Sequence, residues 1–269
     1  MVERLVSLKP FDFIRKQIAL ASKELSSYPP SDIDWEARAV RTAERLIPWL
    51  AAIALPMSEY VSSVMNSPFD VRTTVNELIG RLQAHHELSK DRTIKNRVKL
   101  LRSSLDLEQL LIAGAGGTVV SKLIESYLID ASVDWILESN GSSDYPDLFF
   151  RSDDYQGLPA FKRGGTQVYG AAIKGKGRRP VRVPDGLEIK TCRKKFAVDC
   201  HHAHVGLHLV LVFEMARRRF VVKGVYVGFM RYSMYRITQP ATPTTTLKAS
   251  FNGENFIALF APEGSGNVK

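Results

Sequence analysis

The sequence predicts a mixed α/β (α+β) fold: a central mixed β-sheet flanked by helices, with an added N-terminal helical region. Apolar residues recur at helical spacing through the first part of the chain. From residue 130 onward, runs rich in Val, Leu, Ile and aromatic residues are typical of strands. With 269 residues, 45% of them hydrophobic, the chain can bury a full core. We therefore expect a helical region over 1–112 and a sheet-containing core over 113–269.

The helical periods fall in five segments. They predict helices over 11–25, 34–47, 71–85, 97–111 and 119–129. Pro48 should end or kink the second helix, because proline removes a backbone donor and clashes with the preceding turn. The glycine-rich stretch 114–118 is expected to form a turn before the last helix.

The strand signals follow the helices along the chain. Strands are predicted over 133–137, 145–150, 186–192, 207–213, 220–229, 247–251 and 255–260, with a short helix over 196–204. Asn252-Gly253 is the strongest hairpin signal and is expected to join the last two strands.

Composition excludes several classes of protein. No apolar run reaches the roughly 18 residues that a membrane span requires. The N-terminus carries Glu3 and lacks the long apolar region of a signal peptide. Two cysteines provide no disulfide framework. These features predict a cytoplasmic protein that does not enter a membrane.

Positive charge is concentrated in one segment. Residues 162–195 hold eleven Lys and Arg against two acids, a net +9 that equals the formal charge of the whole chain. Such a segment is typical of a surface that binds nucleic acid, although it could also be a solvated loop without a partner. The candidate DNA-binding residues are Lys162, Arg163, Lys174, Lys176, Arg178, Arg179, Arg182, Arg193, Lys194 and Lys195, with 162–182 expected to be a loop.

Three charged residues lie at strand positions. Glu188 and Lys190 alternate with Leu187 and Ile189, so both charges share one strand face, and Asp147 opens the strand after Pro146. Charges within a run that would otherwise be buried are costly unless they are paired or bind a metal. Two carboxylates and an ammonium suit metal-assisted phosphodiester hydrolysis. The alternative is a surface strand with Glu188 and Lys190 facing water.

The order Pro146-Asp147, a gap, then Glu188-Ile189-Lys190 resembles the PD-(D/E)xK nuclease superfamily, and the resemblance covers residues 119–230. It implies a restriction-endonuclease-like core in which Asp147 and Glu188 bind Mg²⁺ and Lys190 is the catalytic lysine. Glu125, on the preceding helix, corresponds to an accessory acid, or it is an exposed helix residue.

The chain departs from the family pattern in its spacing. The 41 residues from Asp147 to Glu188 exceed the usual gap, so a basic insertion is expected there. Asp185, in a second Pro-Asp pair, better suits a turn with Gly186. Further candidate acids, should the strand register differ, are Asp144, Asp153 and Asp154.

Within the superfamily, a compact chain without an ATPase or methyltransferase motif is most similar to type II restriction endonucleases. The resemblance implies a homodimer that cuts double-stranded DNA at a specific site, with Mg²⁺ as cofactor, leaving 5′-phosphate and 3′-hydroxyl ends. Base recognition would fall to the 162–182 loop or to arginines nearer the C-terminus: Arg217, Arg218, Arg219, Arg231 and Arg236. The alternatives are a repair or junction-resolving nuclease of the same fold, and a non-catalytic DNA-binding module.

A zinc site is not expected. Cysteine and histidine cluster within a short stretch, but the spacing C-x₇-C-H-H-x-H matches no known zinc finger. The residues concerned are Cys192, Cys200, His201, His202 and His204.

Overall fold

The structure, a computed structural model, describes residues 9–25, 35–67, 76, 115–132, 137–139, 147–150, 167–173, 177–182, 186–200, 205–238 and 248–262. The helices are α1 (Lys9–Leu25), α2 (Trp35–Asn66) and α3 (Ala115–Ala131). The strands are β1 (Leu137–Ser139), β2 (Leu148–Phe150), β3 (Gln167–Ile173), β4 (Gly177–Arg182), β5 (Leu187–Arg193), β6 (Ala197–Cys200), β7 (Gly206–Ala216), β8 (Arg219–Met230), β9 (Arg236–Thr238), β10 (Lys248–Asn252) and β11 (Ile257–Phe260).

The central sheet has six strands in the order β1-β2-β5-β7-β8-β11. β5 and β7 are parallel, whereas the other neighbours in this sheet are antiparallel. A second sheet has the order β6-β10-β9, and β3 and β4 form a separate antiparallel pair. The predicted mixed α/β class with a central mixed sheet is thus confirmed, and the described helices pack on one face of that sheet.

Two hydrophobic clusters cover the two faces of the central sheet. On one face α1, α2 and α3 pack against residues such as Ile189, Leu209 and Val227. On the other face Cys192 and Val212 belong to a cluster completed by the β6-β10-β9 sheet. β7 therefore lies in the middle layer, which explains why its residues from Gly206 to Phe213 are all buried.

The helix α2 continues through both of its prolines. Pro48 was predicted to end or kink the helix, and it does not end it, since the helix runs for 32 residues and contains Pro48 and Pro56. Both prolines are exposed, and the buried side chains on the opposite face run from Leu46 to Met65. Burial of that face outweighs the roughly 3 kcal/mol that a proline costs within a helix.

The helix predicted over 196–204 is also wrong where the structure describes it. Residues 197–200 form β6, which pairs antiparallel with β10. Phe196, Val198 and Cys200 are buried while Ala197 and Asp199 are exposed, which is the period of a strand. Because this run is short, its alternation in the sequence did not distinguish a strand from a helix.

The hairpin predicted at Asn252-Gly253 does not form. β10 ends at Asn252 and belongs to the small sheet, whereas β11 pairs with β8 in the central sheet. A short 3-10 helix, Gly253–Asn255, joins them, and the Asn252 side chain accepts a hydrogen bond from the Glu254 backbone N–H at 3.2 Å. The turn signal was correct locally, but each strand pairs with a different partner.

Two further boundaries differ from the predictions. α3 begins at Ala115 rather than after the glycines, and Gly117 permits close contact with β5, because a Cβ there would lie 3.1 Å from Thr191 Oγ1. The predicted basic loop 162–182 contains the β3–β4 hairpin. The helices predicted over 71–85 and 97–111 lie outside the described residues apart from Asn76. Among the helices described, none is long and apolar enough to cross a membrane.

Left-handed backbone occurs at three non-glycine residues of the described chain, and all three are basic. They are Lys194 (φ 68°), Arg217 (φ 49°) and Arg218 (φ 65°). Arg217 and Arg218 are the two central residues of the β7–β8 turn, since Ala216 pairs with Arg219. Such turns favour Asn-Gly, and a left-handed non-glycine residue costs about 1–2 kcal/mol.

Candidate active site

Asp147 and Glu188 lie together where β2 meets β5. The Asp147 backbone N–H donates to Glu188 Oε2 at 3.2 Å, and the Ile189 backbone N–H donates to Asp147 Oδ2 at 2.7 Å. Leu148 pairs with Leu187 in the adjoining ladder. The two carboxylates, 41 residues apart in sequence, are therefore held against each other by reciprocal side-chain to backbone hydrogen bonds.

Lys190 completes this group. Its ammonium donates to Glu188 Oε1, and the two side chains form an ion pair along β5. The Glu188 side chain is 5% exposed and that of Lys190 is 23% exposed. The carboxylate is therefore buried, and the ammonium is the more accessible partner of the pair.

The electrostatics of Glu188 reflect this crowding. Burial, and then the negative charge of Asp147, raise its pKa from 4.5 to about 7, although the charge and hydrogen bond of Lys190 act in the opposite direction. Two carboxylates at one site repel each other. A cation or a proton bound between them relieves that repulsion.

Lys190 is held as an ammonium. Burial is the largest single effect and disfavours its charge, but the attractions of Glu188 and Asp147 and the hydrogen bond to Glu188 together outweigh it and raise the pKa of Lys190 above the ordinary value of 10.5. A lysine in this state donates hydrogen bonds and stabilises negative charge. It is a poor proton acceptor while both carboxylates are ionised.

The face that carries Glu188 and Lys190 also carries two residues that sequence reasoning missed. His208 is directly opposite Glu188 in the parallel β5–β7 pair and is fully buried. Its Nδ1 donates to the Gly206 carbonyl at 2.9 Å, and its Nε2 accepts from the Tyr235 hydroxyl at 3.3 Å. Burial, and to a lesser degree the charge of Lys190, lower the pKa of His208 to about 3, so the ring is neutral.

The only sequence signal for His208 is a histidine within an apolar strand run, Gly206 to Phe213. Its proximity to Glu188 follows from the parallel pairing of β5 with β7, which no local pattern specifies. Tyr235 lies beyond β8, next to the short strand β9, and reaches the site through the second hydrophobic cluster.

Glu125 is buried on α3 and forms an ion pair with Lys122. α3 packs against the Ile189 face of β5, opposite to the face of Glu188. The structure thus pairs Glu125 with a lysine of its own helix, and its role as an accessory acid stays a prediction.

The predicted DNA-binding residues divide into three groups. Arg193, Lys194 and Lys195 are exposed at the end of β5. The arginines of the basic insertion that the structure places, Arg178, Arg179 and Arg182, are in β4. The basic residues that lie outside the described residues are Lys162, Arg163, Lys174 and Lys176.

The arginines considered for base recognition also differ in their surroundings. Arg231 is tied to α1, donating to Glu24 Oε1 at 2.8 Å and to Gln17 Oε1 at 3.0 Å. Arg217, Arg218, Arg219 and Arg236 are exposed. Arg231 therefore joins the sheet to a helix, whereas the other four are accessible.

The donor set at the site suits Mg²⁺. Carboxylate oxygens are the ligands that this hard cation prefers, and it commonly uses one or two carboxylates, with water and phosphate oxygens completing its shell. Within the described ranges, no group of three or more His, Cys, Asp or Glu side chains is placed to hold a metal. Asp147 and Glu188 supply two carboxylates of this type, held next to each other by the hydrogen bonds described above.

The two cysteines behave as small apolar residues. Both are free and buried, and burial raises the pKa of Cys192 to about 12 and that of Cys200 to about 11. The thiols therefore stay protonated and pack in the second hydrophobic cluster. His201, His202 and His204 lie outside the described residues.

Comparison with known proteins gives no relative: no family model, no curated protein and no solved structure matches this chain.

Proposed function

We infer that the protein is a Mg²⁺-dependent DNA endonuclease with a restriction-endonuclease-like core, and that it cuts double-stranded DNA at specific sites as type II enzymes do. The observation that carries the proposal is the contact between Asp147 and Glu188, with Lys190 bound to the second carboxylate. A two-residue spacing in sequence places Glu188 and Lys190 on one strand face, and the fold supplies the facing acid.

The arrangement supports a cation site more than a buried structural ion pair. A Glu–Lys pair needs no second carboxylate, and Asp147 makes ionisation of Glu188 less favourable. An arrangement that is unfavourable without a cation and favourable with one is characteristic of a metal-binding site. Mg²⁺ bound there would supply positive charge at a phosphate and a more acidic water.

The residues of the chain have distinct roles in this proposal. Asp147 and Glu188 would hold the cation, and the hydrogen bonds from backbone N–H groups fix the direction of their oxygens. Lys190 donates to the attacking water or to a phosphate oxygen, orienting the first and stabilising the charge that develops on the second. Its raised pKa favours these roles over removal of a proton from water.

Incubation of the purified protein with a long DNA of known sequence, with and without Mg²⁺, tests the proposal. Discrete Mg²⁺-dependent fragments with 5′-phosphate ends are expected. Fragments from branched or damaged DNA alone would indicate a repair or junction-resolving nuclease. Binding without cleavage of any DNA would contradict the proposal in favour of a non-catalytic binding module.

Lys190→Ala provides the matched test of the site. The variant should lose cleavage activity by at least about 100-fold yet retain DNA binding, because Lys190 stabilises the negative charge that develops on the phosphate during cleavage. Lys223→Ala is the control, since Lys223 pairs with Glu214 at 3.2 Å on neighbouring strands outside the site. Equal loss of activity in both variants would show that Lys190 has no catalytic role.

A further inference from the structure

The two basic turns of the central sheet lie at the same end of it. β5 and β7 are parallel, so the turn after Arg193 and the turn after Ala216 both follow the carboxyl ends of neighbouring strands. Together these turns present six exposed basic residues: Arg193, Lys194, Lys195, Arg217, Arg218 and Arg219. We call this set the basic edge.

The conformation of the basic edge is not one that its residues prefer. Arg217 and Arg218 occupy both left-handed positions of a two-residue turn, and Lys194 is left-handed in the other turn. Asparagine and glycine would fit these positions with less strain. Strained backbone that holds exposed charges points to a function for those charges.

Both turns are nevertheless firmly anchored. The Lys194 backbone N–H donates to the Phe213 carbonyl at 2.7 Å. Phe213 stacks on Phe220 at 4.9 Å between ring centroids, at the base of the arginine turn. Asn66, at the end of α2, accepts from the Phe220 N–H at 2.8 Å and donates to its carbonyl at 2.9 Å. The basic side chains are thus presented by fixed backbone.

Within the described part of the two turns, residues 193–195 and 216–219, no residue is acidic. Glu214, the acidic residue of the β7–β8 turn region, is paired with Lys223 at 3.2 Å. A fixed set of exposed basic groups attracts a ligand that carries several negative charges.

We propose that the basic edge binds the phosphate backbone of DNA on one side of the cleavage site, without reading bases. This rests on the proposed function and deepens it, by assigning the backbone contacts to two particular turns. Arginines and lysines in exposed turns make contacts of this sequence-independent kind.

The distances along the strands suit this assignment. Lys190 on β5 pairs with Val210 on β7. Arg193 lies three residues after Lys190 along β5, and Ala216 lies six residues after Val210 along β7. At about 3.3 Å per residue the basic edge begins about 10 Å from Lys190 and extends to about 20 Å. That range corresponds to about three to six base pairs of B-DNA beyond the cleaved phosphate.

Substitutions at Arg217 and Arg218 distinguish the effect of their positive charges from the effect of the turn conformation. Arg217→Asn with Arg218→Gly removes two charges and supplies the residues that the turn favours. We expect the melting temperature to rise by about 4 °C. Binding to a duplex of about 30 base pairs, measured without Mg²⁺, should weaken about 30-fold at about 0.15 M salt, and the slope of log K against log salt should become shallower by about 1.8.

Two companion variants complete the experiment. Arg217→Lys with Arg218→Lys keeps both charges and should keep the salt slope of the wild-type protein. Arg219→Gln removes one charge outside the left-handed positions and should reduce the slope by about 0.9.

Each result has a defined meaning. If Arg217→Asn with Arg218→Gly is more stable but binds DNA as tightly as the wild-type protein, the proposal for the basic edge is overturned. Specific cleavage by both proteins would still leave the nuclease proposal intact. A wild-type protein that binds no DNA but binds anionic lipid vesicles through the same arginines would overturn both. A salt slope that is shallower for Arg217→Asn with Arg218→Gly and for Arg219→Gln, but unchanged for Arg217→Lys with Arg218→Lys, supports the assignment.

Discussion

Glu188→Gln should change how the stability of the protein depends on pH. Folding raises the pKa of Glu188 from 4.5 to about 7, first through burial and then through the charge of Asp147. The protonated carboxyl is therefore favoured in the folded state, so its contribution to stability is complete below pH 4.5 and is lost as pH rises through about 7. Glutamine does not titrate and should lack this loss.

The magnitude follows from the two pKa values. Between about pH 5 and about pH 8.5, Glu188 should lower the free energy of unfolding of the wild-type protein by about 2–3 kcal/mol relative to the Gln variant. Urea denaturation of both proteins at several pH values measures this difference directly. Saturating Mg²⁺ should remove most of the loss in the wild-type protein, because the cation favours the ionised carboxylate.

Glu214→Gln is the control for this experiment. Glu214 is a strand carboxylate paired with Lys223 in a partly exposed position, so its removal should shift stability by less than about 1 kcal/mol at every pH. The reasoning is refuted if the stability curves of the wild-type protein and Glu188→Gln run parallel over this pH range. That outcome would mean that the carboxylate of Glu188 is neither desolvated nor repelled by Asp147.

Three further predictions concern metal binding and packing. Since protonation of Glu188 competes with the cation, Mg²⁺ affinity should fall about tenfold per pH unit below about pH 7 and level off above it. Calorimetry should detect proton release on Mg²⁺ binding at low pH. A Mg²⁺ affinity that does not change with pH would contradict this prediction. Gly228→Ala should lower the free energy of unfolding by about 1–3 kcal/mol, because its Cβ would lie 2.7 Å from Phe256 Cδ1 and 2.8 Å from the Asn255 carbonyl oxygen. Gly224→Ala, whose Cβ meets the movable ring of Tyr226 instead, should cost less, and equal effects in thermal denaturation would refute the distinction.

The sequence was sufficient to predict the parts of the site that depend on local pattern. The alternation from Leu187 to Cys192 predicted which side chains share a face, and the structure confirms it, since Ile189 and Cys192 belong to opposite hydrophobic clusters. The position of Asp147 at the start of a strand was also predicted, and its contact with Glu188 is observed. The functional roles of these residues stay predictions.

The sequence predictions that were wrong or incomplete concern features that depend on tertiary packing and strand pairing. Asn252-Gly253 is a turn sequence, but the free edge of β8 takes up β11 while β6 and β9 take up β10. Pro48 is tolerated because it faces outward from a helix whose other face is buried. His208 is next to Glu188 only because β5 and β7 are parallel neighbours. None of these outcomes can be read from a short window of sequence.

The reciprocal hydrogen bonds of Asp147 and Glu188 have a mechanical consequence. In the part of the chain that the structure describes, β2 joins β5 through one residue pair, Leu148 and Leu187, together with these two bonds. Asp147 and Glu188, the proposed cation ligands, thus also attach the antiparallel β1–β2 pair, the β1–β2 ribbon, to β5. Truncation of either acid to alanine would loosen this ribbon as well as remove a ligand. Asp147→Asn and Glu188→Gln keep an acceptor oxygen and so change the charge of the site while leaving the ribbon attached.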